Sequence, residues 1–276
     1  MSGLYPLKFK PLYLEKLWGG NRINTILNKD YGNAANCGES WELSGVEGNI
    51  SVVSNGFLKD NYLSELIEIY MGDLVGDKIY EKFGVEFPLL VKFIDAQDDL
   101  SIQAHPDDKL SKERHNAFGK TEMWYVIDVV EDGLINSGFN QEVAKEKYLE
   151  YFNAGKLTEL LHYDKAEVGD VFFIPAGRVH AIGKGCMVAE IQQTSDVTYR
   201  IYDYGREDDA GKKRELQTDL ALDAIDFSYL EDYKTKYKAK KNDSSEIVSC
   251  AYFTTNFIDF DKEIDRNYNG PKYKLT

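Results

Sequence analysis

The stretch Val171-Phe172-Phe173-Ile174-Pro175-Ala176-Gly177-Arg178-Val179-His180-Ala181 decides the class of this chain. Its first four residues are β-branched or aromatic, the side chains that suit a pleated, half-buried surface. Pro175-Ala176-Gly177 then breaks the run as a turn, and His180 follows at the start of the next segment. A strand that stops at a tight turn and hands a histidine to the next strand is a unit of an antiparallel sheet. Similar segments recur on both sides, at residues 89–94, 124–130, 187–192, 198–202 and 247–258, many of them separated by Gly, Asp or Asn. The pattern predicts a mainly β protein built as an antiparallel sandwich or barrel.

Helical spacing is rarer. Leu63, Leu66, Ile67 and Tyr70 fit one face of a helix. Val143, Ala144, Lys147, Tyr148, Tyr151 and Phe152 fit another, with Asn140 as N-cap and Asn153-Ala154-Gly155 as the stop. A short helix over 156–162 is expected next, giving a small helical insertion at about 140–162. The basic run Lys234-Thr235-Lys236-Tyr237-Lys238-Ala239-Lys240-Lys241 alternates without apolar partners and reads as a solvated linker or edge strand. A boundary there leaves 1–233 as the main region and 234–276 as a linker with a partial, shortened C-terminal β segment.

The bulk numbers exclude several classes. A chain of 276 residues, 43% hydrophobic and 29% charged, is long and apolar enough for a packed core. Its 47 acidic against 33 basic residues give a formal charge of -14, which repels nucleic acid and anionic membranes. A small anion then binds only where the few Lys and Arg converge. The sequence holds no apolar run of bilayer length and no signal-like segment at 1–10. Cys37, Cys186 and Cys250 are too few and too scattered for a disulfide framework or a thiolate metal site. A cytoplasmic protein is expected; nothing in the sequence sets its oligomeric state.

Of four histidines, His105, His115, His162 and His180, two have unusual surroundings. In Leu100-Ser101-Ile102-Gln103-Ala104-His105-Pro106, Gln103 and His105 share a strand face, and Pro106 favours an extended backbone at His105. His180 ends the turn quoted above. Between them, Glu122 opens the apolar run Met123-Trp124-Tyr125, where a buried carboxylate needs a partner. Two imidazoles, a carboxylate and an amide oxygen suit a catalytic zinc ion with positions left open; Fe, Mn, Co or Ni fits the same donors. His115 and His162 lie in polar or helical surroundings and read as structural.

Longer motifs carry a resemblance. Leu17-Trp18-Gly19-Gly20, Gly38-Glu39-Ser40-Trp41, the segments 100–108, 119–125 and 175–182, and Ala189-Glu190-Ile191-Gln192-Gln193-Thr194-Ser195-Asp196 leading to Tyr199-Arg200-Ile201-Tyr202-Asp203-Tyr204-Gly205-Arg206 together make the chain similar to the type I phosphomannose isomerases in their short bacterial form. The resemblance implies a cupin-type jelly-roll barrel and an aldose–ketose isomerase. Its reaction would interconvert mannose 6-phosphate and fructose 6-phosphate by zinc-assisted proton transfer through a cis-enediol or enediolate. It implies one zinc ion on Gln103, His105, Glu122 and His180, and an active-site Arg200. It also implies that Lys92 and Glu190 line the sugar-phosphate pocket. Glu190 is a candidate base if burial raises its pKa, and Lys92 is another if neighbouring cations lower its own. A phosphate dianion calls for Lys92, Lys120, Arg178 or Arg200. Trp18 and Trp41 are expected in the core, and Glu39 and Glu47 as structural or exposed. A non-catalytic sugar-phosphate-binding cupin and a metal-dependent cupin oxygenase are the alternatives.

Overall fold

The computed structural model describes residues 4–130, 132–207 and 210–264. The apolar runs become strands: β1 (Leu12–Leu14), β2 (Glu39–Ser44), β3 (Leu89–Asp95), β4 (Ile102–Ala104), β5 (Glu122–Val129), β6 (Leu134–Phe139), β7 (Leu161–Lys165), β8 (Val171–Ile174), β9 (His180–Ile182), β10 (Cys186–Gln193) and β11 (Tyr199–Tyr202). A six-stranded sheet has the order β1-β2-β3-β10-β5-β8 and a five-stranded sheet the order β11-β4-β9-β6-β7, with antiparallel pairing throughout.

Period-two alternation explains how the sheets pack. Ile94, Trp124, Val126, Phe172, Ile174 and Val188 of the larger sheet meet Ile135 and Ile182 of the smaller in one buried cluster. The sheets therefore lie face to face, as separate ladders of a jelly-roll sandwich. The other face of the smaller sheet presents Ile102, Ala104, Ala181, Tyr199 and Ile201 to Tyr148 and Ala221 from the helices Lys145–Asn153 and Thr218–Ala224. Truncating a side chain as buried as Phe172 to alanine costs about 3–5 kcal/mol. The Gly19-Gly20 motif also has a packing reason. Asp95 fills the space a side chain at Gly20 would need. There Asp95 accepts from the Arg22 Nε at 2.7 Å, while the same guanidinium reaches Asp128 at 3.0 Å and the Gly185 carbonyl at 2.8 Å. One arginine thus ties the ends of β3, β5 and β10.

The helices depart from expectation in detail. Leu63–Tyr70 forms as read. The next helix starts only at Lys145, and Asn140 does not cap it; its side-chain amide donates to the carbonyls of Glu159 and Leu161 instead. Residues 156–162 yield only a 3-10 turn, Leu157–Leu160, before β7 takes over. The helix Asp108–His115 was not legible because it is polar almost all round; the Asp107 side chain caps it by accepting from the Leu110 N–H at 2.8 Å.

The chain divides into two compact units between Tyr233 and Lys234. In the second, the run expected at 247–258 is a hairpin of β12 (Ser244–Ser249) and β13 (Thr254–Ile258), closed where the Cys250 N–H donates to the Phe253 carbonyl at 3.0 Å. Residues 265–276 of that expected segment lie outside the described residues. Among the described residues no helix is long and apolar enough to cross a membrane.

Candidate functional site

Strand register builds the site as two rows of side chains. Across the larger sheet, Trp41 pairs with Lys92, Lys92 with Glu190, and Glu190 with Trp124. Across the smaller sheet, Arg200 pairs with Gln103, Gln103 with His180, and His180 with Ser137. Directly opposed residues share a sheet face, so each row crosses four strands on one side. Alternation fixes which side: Tyr199 and Ile201 pack toward the helices, which turns Arg200 inward. The Pro175-Ala176-Gly177 turn delivers His180 at the start of β9. Gly177 adopts φ 87°, and a side chain there would meet the Ala224 carbonyl, so the turn requires glycine.

His105, Glu122 and His180 converge, with one donor atom of each inside 4.8 Å of the others. All three are wholly buried. Each imidazole directs Nδ1 at a backbone carbonyl, His105 at Val197 (3.0 Å) and His180 at Arg178 (2.7 Å). A carbonyl only accepts, so the proton sits on Nδ1 and the Nε2 lone pair points inward. Burial and the nearby Lys120 ammonium push His105 well below the usual histidine range. Burial, against the Arg178 carbonyl and with help from Lys120, takes His180 down to about 3. Both rings are therefore neutral donors near neutral pH. Glu122 lies with its oxygens 3.4 and 3.5 Å from the two Nε2 atoms. Neither oxygen receives an aligned hydrogen bond; Lys120 Nζ comes within 3.0 Å of one, off the line of such a bond. The Gln103 amide is 3.2 Å from His180 Nε2, and rotating it by half a turn brings Oε1 to the same place.

A cavity of about 480 Å3 opens beside this group, lined in part by Lys92, Gln103, Lys120, Glu190 and Arg200. Lys92 lies 3.0 Å from Glu190 and 3.6 Å from Glu39. Burial alone lowers its pKa, but the two carboxylates outweigh burial and hold it above the usual lysine range. This corrects the expectation of a Lys92 depressed by neighbouring cations: its neighbours are anions. Burial and the Glu122 charge raise Glu190, against the pull of Lys92 and Lys120, and the Trp124 indole N–H donates to it at 2.8 Å.

Arg178 does not line the cavity. Its guanidinium lies 4.8 Å from the centre of the Tyr233 ring, and only its carbonyl serves the site. His115 contacts the Tyr199 hydroxyl at 2.8 Å and His162 lies 3.2 Å from Asp164, both away from the cavity. Trp18 and Trp41 are buried yet line the cavity. Glu39, expected to be structural or exposed, is a buried wall residue: it accepts from the Trp41 indole at 2.7 Å and pairs with Lys16 at 3.1 Å. Burial raises it, but Lys92 and Lys16 carry it down to about 2. Its place two residues before Trp41 on β2 was the available signal. Ser101, Arg214 and Gln217, which sequence reasoning also passed over, complete the mouth around Arg200.

Residues 7–125 match the family described as phosphomannose isomerase type I, catalytic domain. The mannose-6-phosphate isomerase ManA of Bacillus subtilis is 39% identical over 258 residues, covering 90% of this chain and 78% of that protein. The crystal structure of the mannose 6-phosphate isomerase from Bacillus subtilis superposes with a TM-score of 0.80 at 34% identity, over 90% of this chain and 78% of that one. A mannose 6-phosphate isomerase solved bound with zinc and yttrium shares the fold, with a TM-score of 0.66 at 15% identity over 88% of this chain and 80% of that one.

Proposed function

The chain belongs to the type I phosphomannose isomerase family, and we propose that it works as one through a single zinc ion held by Gln103, His105, Glu122 and His180. It is an aldose–ketose isomerase that interconverts mannose 6-phosphate and fructose 6-phosphate. The observation that carries the metal is the convergence of His105, Glu122 and His180: two neutral imidazoles turn their Nε2 lone pairs toward a wholly buried carboxylate that has Lys120 3.0 Å from one oxygen but no aligned hydrogen bond. Imidazole lone pairs that face a carboxylate across 3.4 and 3.5 Å repel it unless a cation sits among them. Nitrogen and oxygen donors without thiolate suit catalytic zinc, and zinc is bound in the fold relative noted above. When bound, the ion polarises a substrate oxygen as a Lewis acid.

The chain's own residues account for the rest. Isomerisation moves a proton from C2 to C1 of the open-chain sugar phosphate. Glu190 is the proton carrier: its pKa is raised toward the working range, and it lines the cavity. The carboxylate takes the C2 proton and returns it to C1, while the O2 hydroxyl proton passes to O1 through the enediol, so that C2 becomes the carbonyl and C1 the alcohol. Lys92 stays protonated beside it and stabilises the negative charge that develops on the substrate oxygens. Lys120, against His105 and Glu122, adds positive charge at the inner end. Arg200 and Arg214 at the mouth take the phosphate, with Ser101 beside them; the Ser101 hydroxyl already accepts from Arg200 Nε at 3.3 Å.

The test is elemental analysis of protein purified without added metal, paired with a coupled isomerase assay. One zinc per chain, turnover lost on prolonged chelation and turnover restored by zinc are the expected results. Folded, zinc-replete protein that binds mannose 6-phosphate without converting it would mark a binding cupin instead.

A further inference from the structure

Behind the mouth stands a carboxylate that the reaction does not use. Asp203 is buried, directly after β11, and two arginines converge on it. Arg214 grips it by two points, Nε to Oδ2 at 2.7 Å and a terminal nitrogen to Oδ1. Arg206 donates to Oδ1 from Nε at 3.2 Å and from a terminal nitrogen at 2.5 Å, and its other terminal nitrogen donates to the Asp99 carbonyl. Arg200 is within electrostatic reach of all three: the positive charge of Arg214 and Arg206 lowers its pKa and Asp203 raises it, after the dominant lowering by burial. Of these arginines, Arg200 and Arg214 line the cavity and Arg206 does not.

We propose that Asp203 is a positioning residue for substrate phosphate, holding the Arg214 guanidinium at the cavity mouth by a two-point fork. The proposal rests on the reading above that Arg200 and Arg214 receive the phosphate. An arginine side chain has high rotamer entropy and a planar set of five N–H donors. The fork occupies Nε–H and one terminal N–H, fixes the plane, and leaves three N–H outside the contact. Arg206 braces the same carboxylate, so Asp203 cannot swing with its partner. Without the carboxylate the fork is gone, and the positive charges of Arg200 and Arg206 favour Arg214 moving off toward solvent.

The two possible roles of Asp203 have opposite signs. If it merely offsets positive charge, its removal makes the mouth more cationic and tightens anion binding. If it positions Arg214, its removal weakens anion binding. In zinc-replete Asp203→Asn, the KM for mannose 6-phosphate should rise on the order of tenfold. The inhibition constant for inorganic phosphate should rise in parallel, with zinc content unchanged and kcat within about threefold of wild type. An unchanged or lower KM and phosphate constant overturns the proposal. Should Asp203→Asn not fold, Arg214→Lys keeps the carboxylate but cannot form the fork; a wild-type KM and phosphate constant there overturns the proposal equally. Arg214→Ala separates the two levels. If it leaves both constants unchanged, the phosphate reading itself fails. If it weakens both while Asp203→Asn does not, only the positioning role fails.

Discussion

The inner end of the cavity and its mouth are each organised around a buried carboxylate, and the two are treated oppositely. Glu122 lies among two imidazoles that turn lone pairs toward it; Lys120 comes within 3.0 Å of one oxygen, and neither oxygen receives an aligned hydrogen bond. Asp203 receives four contacts from two guanidinium groups. Burial costs both, but only Asp203 is held by an aligned two-point fork. The lesson is that imidazole lone pairs converging beside a carboxylate without aligned donors are what a metal centre needs, whereas saturation by guanidinium groups marks a strut. The distribution of donors around a buried acid thus separates a binding centre from its scaffold.

The largest effect that would break this contrast is at Glu122. Glu122→Gln removes the charge and keeps the shape. Zinc should be lost, and turnover should fall on the order of a thousandfold or more. The metal-free variant should melt below metal-free wild type, because the buried Lys120 ammonium loses the carboxylate 3.0 Å from it. Zinc analysis, the isomerase assay and calorimetry on both proteins check this; zinc retained at the wild-type level would show that Glu122 is not a ligand. Next comes Arg200. Arg200→Ala should raise KM by about tenfold to a hundredfold, the worth of one or two charge-assisted contacts, while zinc binding stays intact. Steady-state kinetics with metal analysis would show if the mouth and the inner end are instead one unit, since zinc would then fall as well.

The smallest effect sharpens the comparison through pH. Glu39 titrates at about 2 in the folded chain against an ordinary 4.5. A depressed carboxylate stabilises the fold above its unfolded pKa, and that contribution disappears as protons are taken up between about 4.5 and 2. At neutral pH it amounts to at most about 3 kcal/mol. Glu39→Gln should therefore flatten the acid limb of a stability-versus-pH curve measured by urea unfolding, and leave the slope above pH 5 unchanged. A curve parallel to wild type below pH 4.5 would remove Glu39 from the group of satisfied acids.

Much of the inner end was legible in the sequence because it follows strand parity. Gln103 and His105 share a face, a proline turn sets His180, and Glu122 opens an apolar run; the family resemblance then added Lys92, Glu190 and Arg200. What parity could not supply was which face Arg200 takes; that came from Tyr199 and Ile201 packing against two helices. The mouth was less legible. Arg214 and Asp203 are eleven residues apart across a polar loop with no periodicity, and nothing in Gly211-Lys212-Lys213-Arg214 singles out the last cation. The condition attached to Lys92, neighbouring cations, is not met because Glu190 on β10 and Glu39 on β2 flank it and raise its pKa. The helix Asp108–His115 was missed because it has no apolar stripe to read.

The two cross-strand rows bear on how this protein tolerates changes in length. A residue inserted in a connection that holds no site residue leaves both rows paired, whereas one in the 175–177 turn or between Asp203 and Arg214 shifts a side chain the site uses. A residue inserted in β10 before Glu190 reverses parity from that point and exchanges Glu190 for an apolar neighbour in the row, while leaving the ladder hydrogen bonds able to form. Length changes inside the four-strand rows therefore strike the chemistry and the core together, because Glu190 and the core residue Val188 share one face of β10.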